Sequence, residues 1–90
     1  MIKLIKLYST VCKMCDVFDQ TTRKQLQERN KDTNIEFEAI NTDKNTELAE
    51  KLNIGSVPQL ILQNDSNFIK YKGDMHNVEA IIQWIIINLS

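Results

Sequence analysis

Cys12 and Cys15 stand three residues apart in the run Cys12-Lys13-Met14-Cys15. That spacing suits two kinds of chemistry: exchange of a tight disulfide with another, or half of a metal site. An alternating run precedes the pair and a stretch of helical spacing follows it, so the cysteines are expected at a strand-to-helix junction. The first turn of a helix carries unpaired N–H groups and the positive end of the dipole. Both stabilise a thiolate, the nucleophilic form of cysteine, and Lys13 adds a positive charge. Cys12 is then the attacking sulfur, with a depressed pKa. Cys15 is the resolving sulfur, more buried, with an ordinary or raised pKa. It can reach Cys12 across the turn and break a mixed disulfide.

The metal alternative stays open. Structural zinc asks for four ligands, and the chain offers these two cysteines, one histidine and no second pair of the same spacing. A metal or cluster would have to be shared between two chains or completed by carboxylates. A non-catalytic adaptor is a further alternative. His76, the single histidine, falls near the start of the last expected helix, where a capping or solvated position accounts for it.

The elements that must position the cysteines follow from periodicity. Residues 2–8 alternate, with Ile2, Leu4 and Lys6 on one face and Lys3, Ile5 and Leu7 on the other. Apolar residues on both faces indicate a central strand covered on both sides. A helix is expected over 12–28, with Phe18, Thr22 and Leu26 as its thin apolar line. The polar residues 30–34 break the pattern. Ile35, Phe37 and Ala39 alternate with Glu36 and Glu38, which gives a second strand, more exposed and near an edge. Asn45 can cap the next helix, whose buried stripe is Leu48, Ala49 and Leu52, and Asn53 suits a left-handed stop. A buried strand at 60–62 follows Pro58, the turn 64–67 reverses the chain, and 68–72 returns. The last helix runs from 76 or 77 to 88. Val78, Ile81, Ile82, Ile85, Ile86 and Leu89 form its core-facing stripe, with Trp84 and Ile87 off that stripe. The order is β-α-β-α-β-β-α: parallel first strands, a closing hairpin, and a mixed four-stranded sheet with helices on both faces.

Composition narrows the classes. A chain of 90 residues holds one domain, here 1–90. With 11 basic and 12 acidic side chains the net charge is −1, which lacks the basic footprint of nucleic-acid binding. Only 2 glycines and 1 proline exclude disordered linkers. Two cysteines are too few for a disulfide-stapled secreted scaffold. No signal-peptide pattern is visible at the start. The most apolar stretch, 80–89, is interrupted by Gln83 and Asn88 and falls short of the roughly 20 residues that span a bilayer. A reduced cytoplasmic compartment is expected, with no membrane and no nucleic acid as partner.

Four segments resemble parts of one family. Leu7-Tyr8-Ser9-Thr10-Val11-Cys12-Lys13-Met14-Cys15 is similar to the strand and active-site turn of a glutaredoxin. Asn41-Thr42-Asp43-Lys44-Asn45, with Leu48, Ala49 and Leu52, is more similar to the second strand end and second helix of a thioredoxin. Ile54-Gly55-Ser56-Val57-Pro58-Gln59-Leu60 resembles the family's segment around a cis-proline, and Tyr71-Lys72-Gly73 before an apolar helix resembles its last strand and helix. Over nearly its whole length the chain resembles the thioredoxin and glutaredoxin superfamily.

The resemblance implies an α/β thioredoxin fold and a thiol–disulfide oxidoreductase, or electron carrier, that reduces protein disulfides. Cys12 and Cys15 would be catalytic. Lys13, Met14, Val57, Pro58 and Gly73 would form the substrate-binding surface. The Val57–Pro58 bond would be cis and lie beside Cys12, Val57 would pair its backbone with substrate as an added strand, and Gly73 would leave room for substrate backbone. No bound cofactor or metal is implied; electrons would come from a thioredoxin reductase or from glutathione. The partner would be a protein disulfide, with ribonucleotide reductase a family-level possibility, and the working form a monomer. The chain departs from the family in several places. Lys-Met separates the cysteines where Gly-Pro or Pro-Tyr is common, and Val11 stands for a tryptophan. Asp16 stands for a basic residue, and Gly73-Asp74 is a reduced version of the glutathione-recognising end of glutaredoxins. Lys6 occupies the place of a buried aspartate that assists proton transfer, leaving that role vacant.

Overall fold

The computed structural model describes residues 2–31 and 33–89. Met1, Asp32 and Ser90 lie outside them, so the polar break at 30–34 is described only on either side of Asp32. The first strand, β1 (Ile2–Tyr8), pairs in parallel with β2 (Ile35–Asn41) and antiparallel with β3 (Gln59–Asn64); β3 pairs antiparallel with β4 (Asn67–Lys70). The sheet order is β2-β1-β3-β4, so the two strands richest in buried residues are central. Helices α1 (Lys13–Gln20) and α2 (Thr22–Arg29) join β1 to β2, α3 (Thr46–Lys51) joins β2 to β3, and α4 (Val78–Leu89) closes the chain. This is the mixed four-stranded α/β architecture of the thioredoxin fold.

Strand alternation sorts the core into two clusters. Leu4, Leu60 and Leu62 face Phe18, Leu26, Ile81 and Ile85, so α1, α2 and α4 cover one side. Ile5, Leu7 and Ile61 face Leu48 and Leu52 of α3, with Ile54, Val57 and Phe68 beside them. A strand buried on both faces needs apolar residues in both of its alternating rows, and β1 has them. At the edge, β2 turns Glu36 and Glu38 outward, and Glu38 meets Lys3 at 3.6 Å.

Several expected boundaries move. The helix expected over 12–28 is broken at Thr21, whose backbone sits at φ −121° and ψ −81°. The Thr21 hydroxyl donates to the Val17 carbonyl at 2.7 Å, while the Thr21 N–H is shared between Val17 and Phe18 carbonyls at 3.1 and 3.3 Å. A threonine hydroxyl that bonds back along its own helix competes with the ladder and bends it. The apolar line survives the break, since Phe18, Thr22 and Leu26 are all buried. The return strand ends at Lys70 instead of residue 72, though the Tyr71 N–H still donates to Leu60 at 2.9 Å. On α4 the buried stripe is narrower than expected: Ile81 and Ile85 are buried, while Ile86 and Leu89 are exposed. Leu48, Ala49 and Leu52 are half-buried, not buried.

Candidate active site

Register brings the chemical residues to one end of the sheet. Tyr8, the last residue of β1, lies opposite Asn41 of β2. Leu7 pairs with Gln59, the first residue of β3, so Pro58 falls beside the end of β1 from which the cysteine turn departs. The Val57–Pro58 peptide is cis. Gly73 follows Tyr71, which is tied to the start of β3, so it comes to the same end.

Cys12 is the N-cap of α1, and its Sγ accepts the Cys15 N–H at 3.1 Å. The sulfur thus occupies the place of a capping oxygen and meets one of the otherwise unpaired donors of the first turn. The two cysteines are joined in a disulfide with Cα atoms 5.2 Å apart. Cys12 is half-buried and Cys15 only 2% exposed, so solvent and any partner reach the pair from the Cys12 side. Around it Val11 is 88% and Met14 51% exposed, and Lys13 is exposed between the sulfurs. Val57 is half-buried and packs toward Ile5, Leu7 and Ile61. Gly73 is exposed, but a Cβ there would lie 2.5 Å from the Tyr71 Oη.

The loop ahead of Cys12 is clamped from the end of β2 and the turn that follows it. The Asp43 carboxylate accepts the Thr10 N–H at 2.8 Å, and the Asn41 amide donates to the Thr10 hydroxyl at 3.3 Å. Thr42 donates to the Tyr8 carbonyl through its N–H at 2.7 Å and its hydroxyl at 3.1 Å. The Thr10 backbone bond, and then its hydroxyl, hold the Asp43 carboxyl below the usual carboxylate range.

A half-open pocket of about 290 Å³ adjoins the cysteines, with both sulfur-bearing residues, Lys6, Tyr8, Asp16, Asp19 and Arg23 in its wall. Lys6 is 5% exposed. Its Nζ donates to both Asp19 oxygens, at 2.8 and 2.7 Å, and lies 4.6 Å over the Tyr8 ring. Arg23 donates to Asp19 Oδ1 at 3.4 Å. The resemblance left the position of Lys6 without a role; the structure fills it with an ion pair in which Lys6 is buried and Asp19 is half-buried. A lysine between Ile5 and Leu7 in a two-sided strand was the available signal, because such a cation requires an acidic partner. The other side chains missed in the sequence are Asp19, Arg23 and the Asp43 clamp. His76 is exposed, and its N–H donates to Asp74. Among the described residues no three of the His, Cys, Asp and Glu side chains converge as a metal site.

The family model described as Thioredoxin matches residues 1–86. The chain belongs to the thioredoxin family. No curated protein matches it in sequence. Among solved structures, the first thioredoxin domain of mouse protein disulfide-isomerase A4 superposes with a TM-score of 0.84 at 19% identity, over 99% of this chain and 64% of that one. Mitochondrial thioredoxin 3 of Saccharomyces cerevisiae, in its oxidised form, gives 0.76 at 22%, over 96% and 77%. Thioredoxin-2 of the malaria parasite gives 0.78 at 21%, over 97% and 82%. These likenesses establish the fold of this thioredoxin-family chain. Its Cys12–Cys15 pair, at the exposed end of α1, gives the family a redox-capable centre here.

Proposed function

We propose that this thioredoxin-family protein reduces protein disulfides by dithiol exchange. The observation that carries the reading is the Cys12–Cys15 disulfide at the N-terminus of α1, where Cys12 caps the helix and Cys15 lies behind it. In the reduced protein, Cys12 as thiolate attacks one sulfur of the substrate disulfide. That bond breaks, a Cys12 mixed disulfide forms, and the other substrate sulfur leaves as thiolate and takes up a proton. Cys15, once deprotonated, attacks the Cys12 sulfur, the mixed disulfide breaks, and the second substrate thiol is released. Two electrons have passed to the substrate, and an external reductant must restore the pair.

The exposed Met14 and Lys13, the cis Val57–Pro58 segment and Gly73 form the surface on which the substrate docks. Lys-Met between the cysteines and the reduced Gly73-Asp74 end favour neither reductant by themselves, so the electron donor is a thioredoxin reductase or glutathione. Both cysteines are committed to the redox pair, and the proposal places the protein in the cytoplasm, working as a monomer.

The test is NADPH-linked reduction of insulin disulfides, run in parallel with thioredoxin reductase and with glutathione plus its reductase. Turnover is expected in one arm. Cys12→Ser abolishes it, and Cys15→Ser accumulates the mixed disulfide. Full turnover by Cys12→Ser would sink the mechanism. Activity in neither arm, with metal retained through purification under reducing conditions, would favour a cluster-binding module.

A further inference from the structure

The pocket beside the cysteines holds two cations, Lys6 and Arg23, and two carboxylates, Asp16 and Asp19, so its wall is balanced in charge. The four groups are not equally engaged. Lys6 gives its Nζ to both Asp19 oxygens, at 2.8 and 2.7 Å, and that pair closes on itself. Arg23 reaches Asp19 through one nitrogen at 3.4 Å, a long contact that leaves most of its five guanidinium donors to others. Asp16 is exposed and enters no ion pair among the described residues. A ligand therefore finds one carboxylate next to Cys15 and one guanidinium about two helical turns further along α1 and α2. From β2 the wall receives Ala39, a side chain too small to close the pocket. Its volume of about 290 Å³ lies just under the roughly 300–1,000 Å³ that drug-sized ligands occupy. A molecule of amino-acid size fits it, and Cys12, half-buried, stands in the same wall.

We propose that this pocket binds small zwitterionic disulfides of the α-amino-acid type, their ammonium on Asp16 and their carboxylate on Arg23, and so presents their sulfur to Cys12. The proposal rests on the dithiol exchange described above and adds a second, low-molecular-weight substrate class to it. A guanidinium pairs a carboxylate through two parallel bonds, and the single long contact to Asp19 leaves that mode open. A wall with one available group of each sign prefers a ligand that carries both signs over one that carries either alone. In the exchange, the Cys12 thiolate attacks one sulfur of the small disulfide. That bond breaks, and one half leaves as thiolate and takes up a proton. Cys15, once deprotonated, attacks the Cys12 sulfur and releases the second half. One small disulfide becomes two thiols as the protein dithiol becomes the Cys12–Cys15 disulfide, and the same external reductant restores the pair.

Three disulfides with arms of equal length provide the test: cystine carries both charges, cystamine the ammonium alone, and 3,3′-dithiodipropionate the carboxylate alone. The pre-reduced protein is mixed with each, and the released thiol is followed through a single turnover. Salt of about 1 M screens attraction beyond about 3 Å, so that contact and not steering is read. Arg23→Gln slows cystine and dithiodipropionate about tenfold, the low end for a lost charge-assisted bond, and does not slow cystamine. Asp16→Asn slows cystine and cystamine by a similar factor and does not slow dithiodipropionate. Lys24→Gln removes a charge next to Arg23 but outside the pocket wall, and leaves all three rates as they were. Each variant is read as a ratio between substrates, so a change in sulfur reactivity, which moves the three rates together, cancels.

Rates that fall together for all three disulfides, or that ignore both substitutions, overturn the proposal. A titration that needs no turnover stands beside the kinetics. S-methylcysteine, a zwitterion without an exchangeable sulfur, is added to the oxidised protein and the amide resonances are followed. Shifts are expected at Asp16, Arg23 and Ala39, and Arg23→Gln removes them. No shifts, or shifts centred on Val57 and Gly73, overturn the assignment of this pocket. If the reduced protein consumes no disulfide, large or small, the proposed function falls and the titration alone decides the pocket. If insulin is reduced while the charge pattern and the shifts are absent, the function stands and the pocket assignment falls.

Discussion

A Cβ added to Gly73 would lie 2.5 Å from Tyr71 Oη and 2.7 Å from Cζ. The ring has little room to retreat. It is tilted against Trp84 with centroids 5.1 Å apart, its hydroxyl donates to the Asp74 carbonyl at 2.9 Å, and Gln59 holds the Tyr71 carbonyl at 2.7 Å. Gly73→Ala must displace that ring and should cost about 1–3 kcal/mol, as overpacking does. The check is a lower denaturation midpoint at an unchanged m-value. The same substitution on a Tyr71→Phe background should recover little, because the clash with the ring carbon remains; full recovery would show that the hydroxyl alone sets the constraint. The resemblance gave Gly73 the task of leaving room for substrate, and the geometry gives it a nearer neighbour in its own chain. The cysteines were legible at this scale because their spacing and their place at a strand end are local. The Lys6–Asp19 pair was not, because its partners are 13 residues apart and meet only once α1 packs on β1.

Helix α3 is six residues long and contains no fully buried residue. So short a helix does not hold itself in water and depends on its caps and its packing. Asn45 Oδ1 accepts the Leu48 N–H at 3.3 Å, and Asn53 closes the far end at φ 54°. Asn45→Ala should cost about 1 kcal/mol. Amide hydrogen exchange should show it as lost protection across 46–52, with the β1 and β3 amides little changed. Equal loss in the strands would mean that the cap supports the whole core. Leu48 and Leu52 pack with Val57 on one cluster, so a loosened α3 also loosens the segment beside Pro58. Both ends of this helix were readable, since an asparagine cap and an asparagine stop act through their own backbone. The break at Thr21 was not readable from periodicity, because Phe18, Thr22 and Leu26 keep one line across it while the hydroxyl of Thr21 interrupts the ladder. The narrowed face of α4 was hidden for a related reason: six apolar residues at helical spacing do not say how many of them a four-stranded sheet can cover.

At the scale of the whole molecule, two of the polar contacts between segments distant in sequence involve a carboxylate held below its ordinary range. Glu79 of α4 meets Arg29 of α2 at 2.6 Å, and Asp43 holds Thr10 ahead of Cys12. The Arg29 guanidinium holds the Glu79 carboxyl below its ordinary range, and the Thr10 N–H does the same for Asp43. A carboxyl lowered on folding contributes stability above its unfolded pKa, near 4 for either residue type, and loses it as the pH falls through its folded value. The acid limb of stability should therefore begin near pH 4 and deepen below it, and both Glu79→Gln and Asp43→Asn should flatten it. High salt should weaken the fully exposed Arg29–Glu79 pair. The two substitutions should separate at the active site. Glu79 bonds Arg29, the last residue of α2 and the far end of the α1–α2 run from the cysteine turn, so Glu79→Gln should leave the alkylation rate of reduced Cys12 as it was. Asp43→Asn weakens the acceptor for Thr10, two residues before Cys12, so it should change that rate even at neutral pH, where the wild-type carboxylate is fully ionised. If Asp43→Asn altered the acid limb but not the alkylation rate, the clamp would support the fold without positioning the sulfur. If it altered the rate alone, the bond to Thr10 would be spent on holding the turn, and the acid limb would belong to the α2–α4 contact.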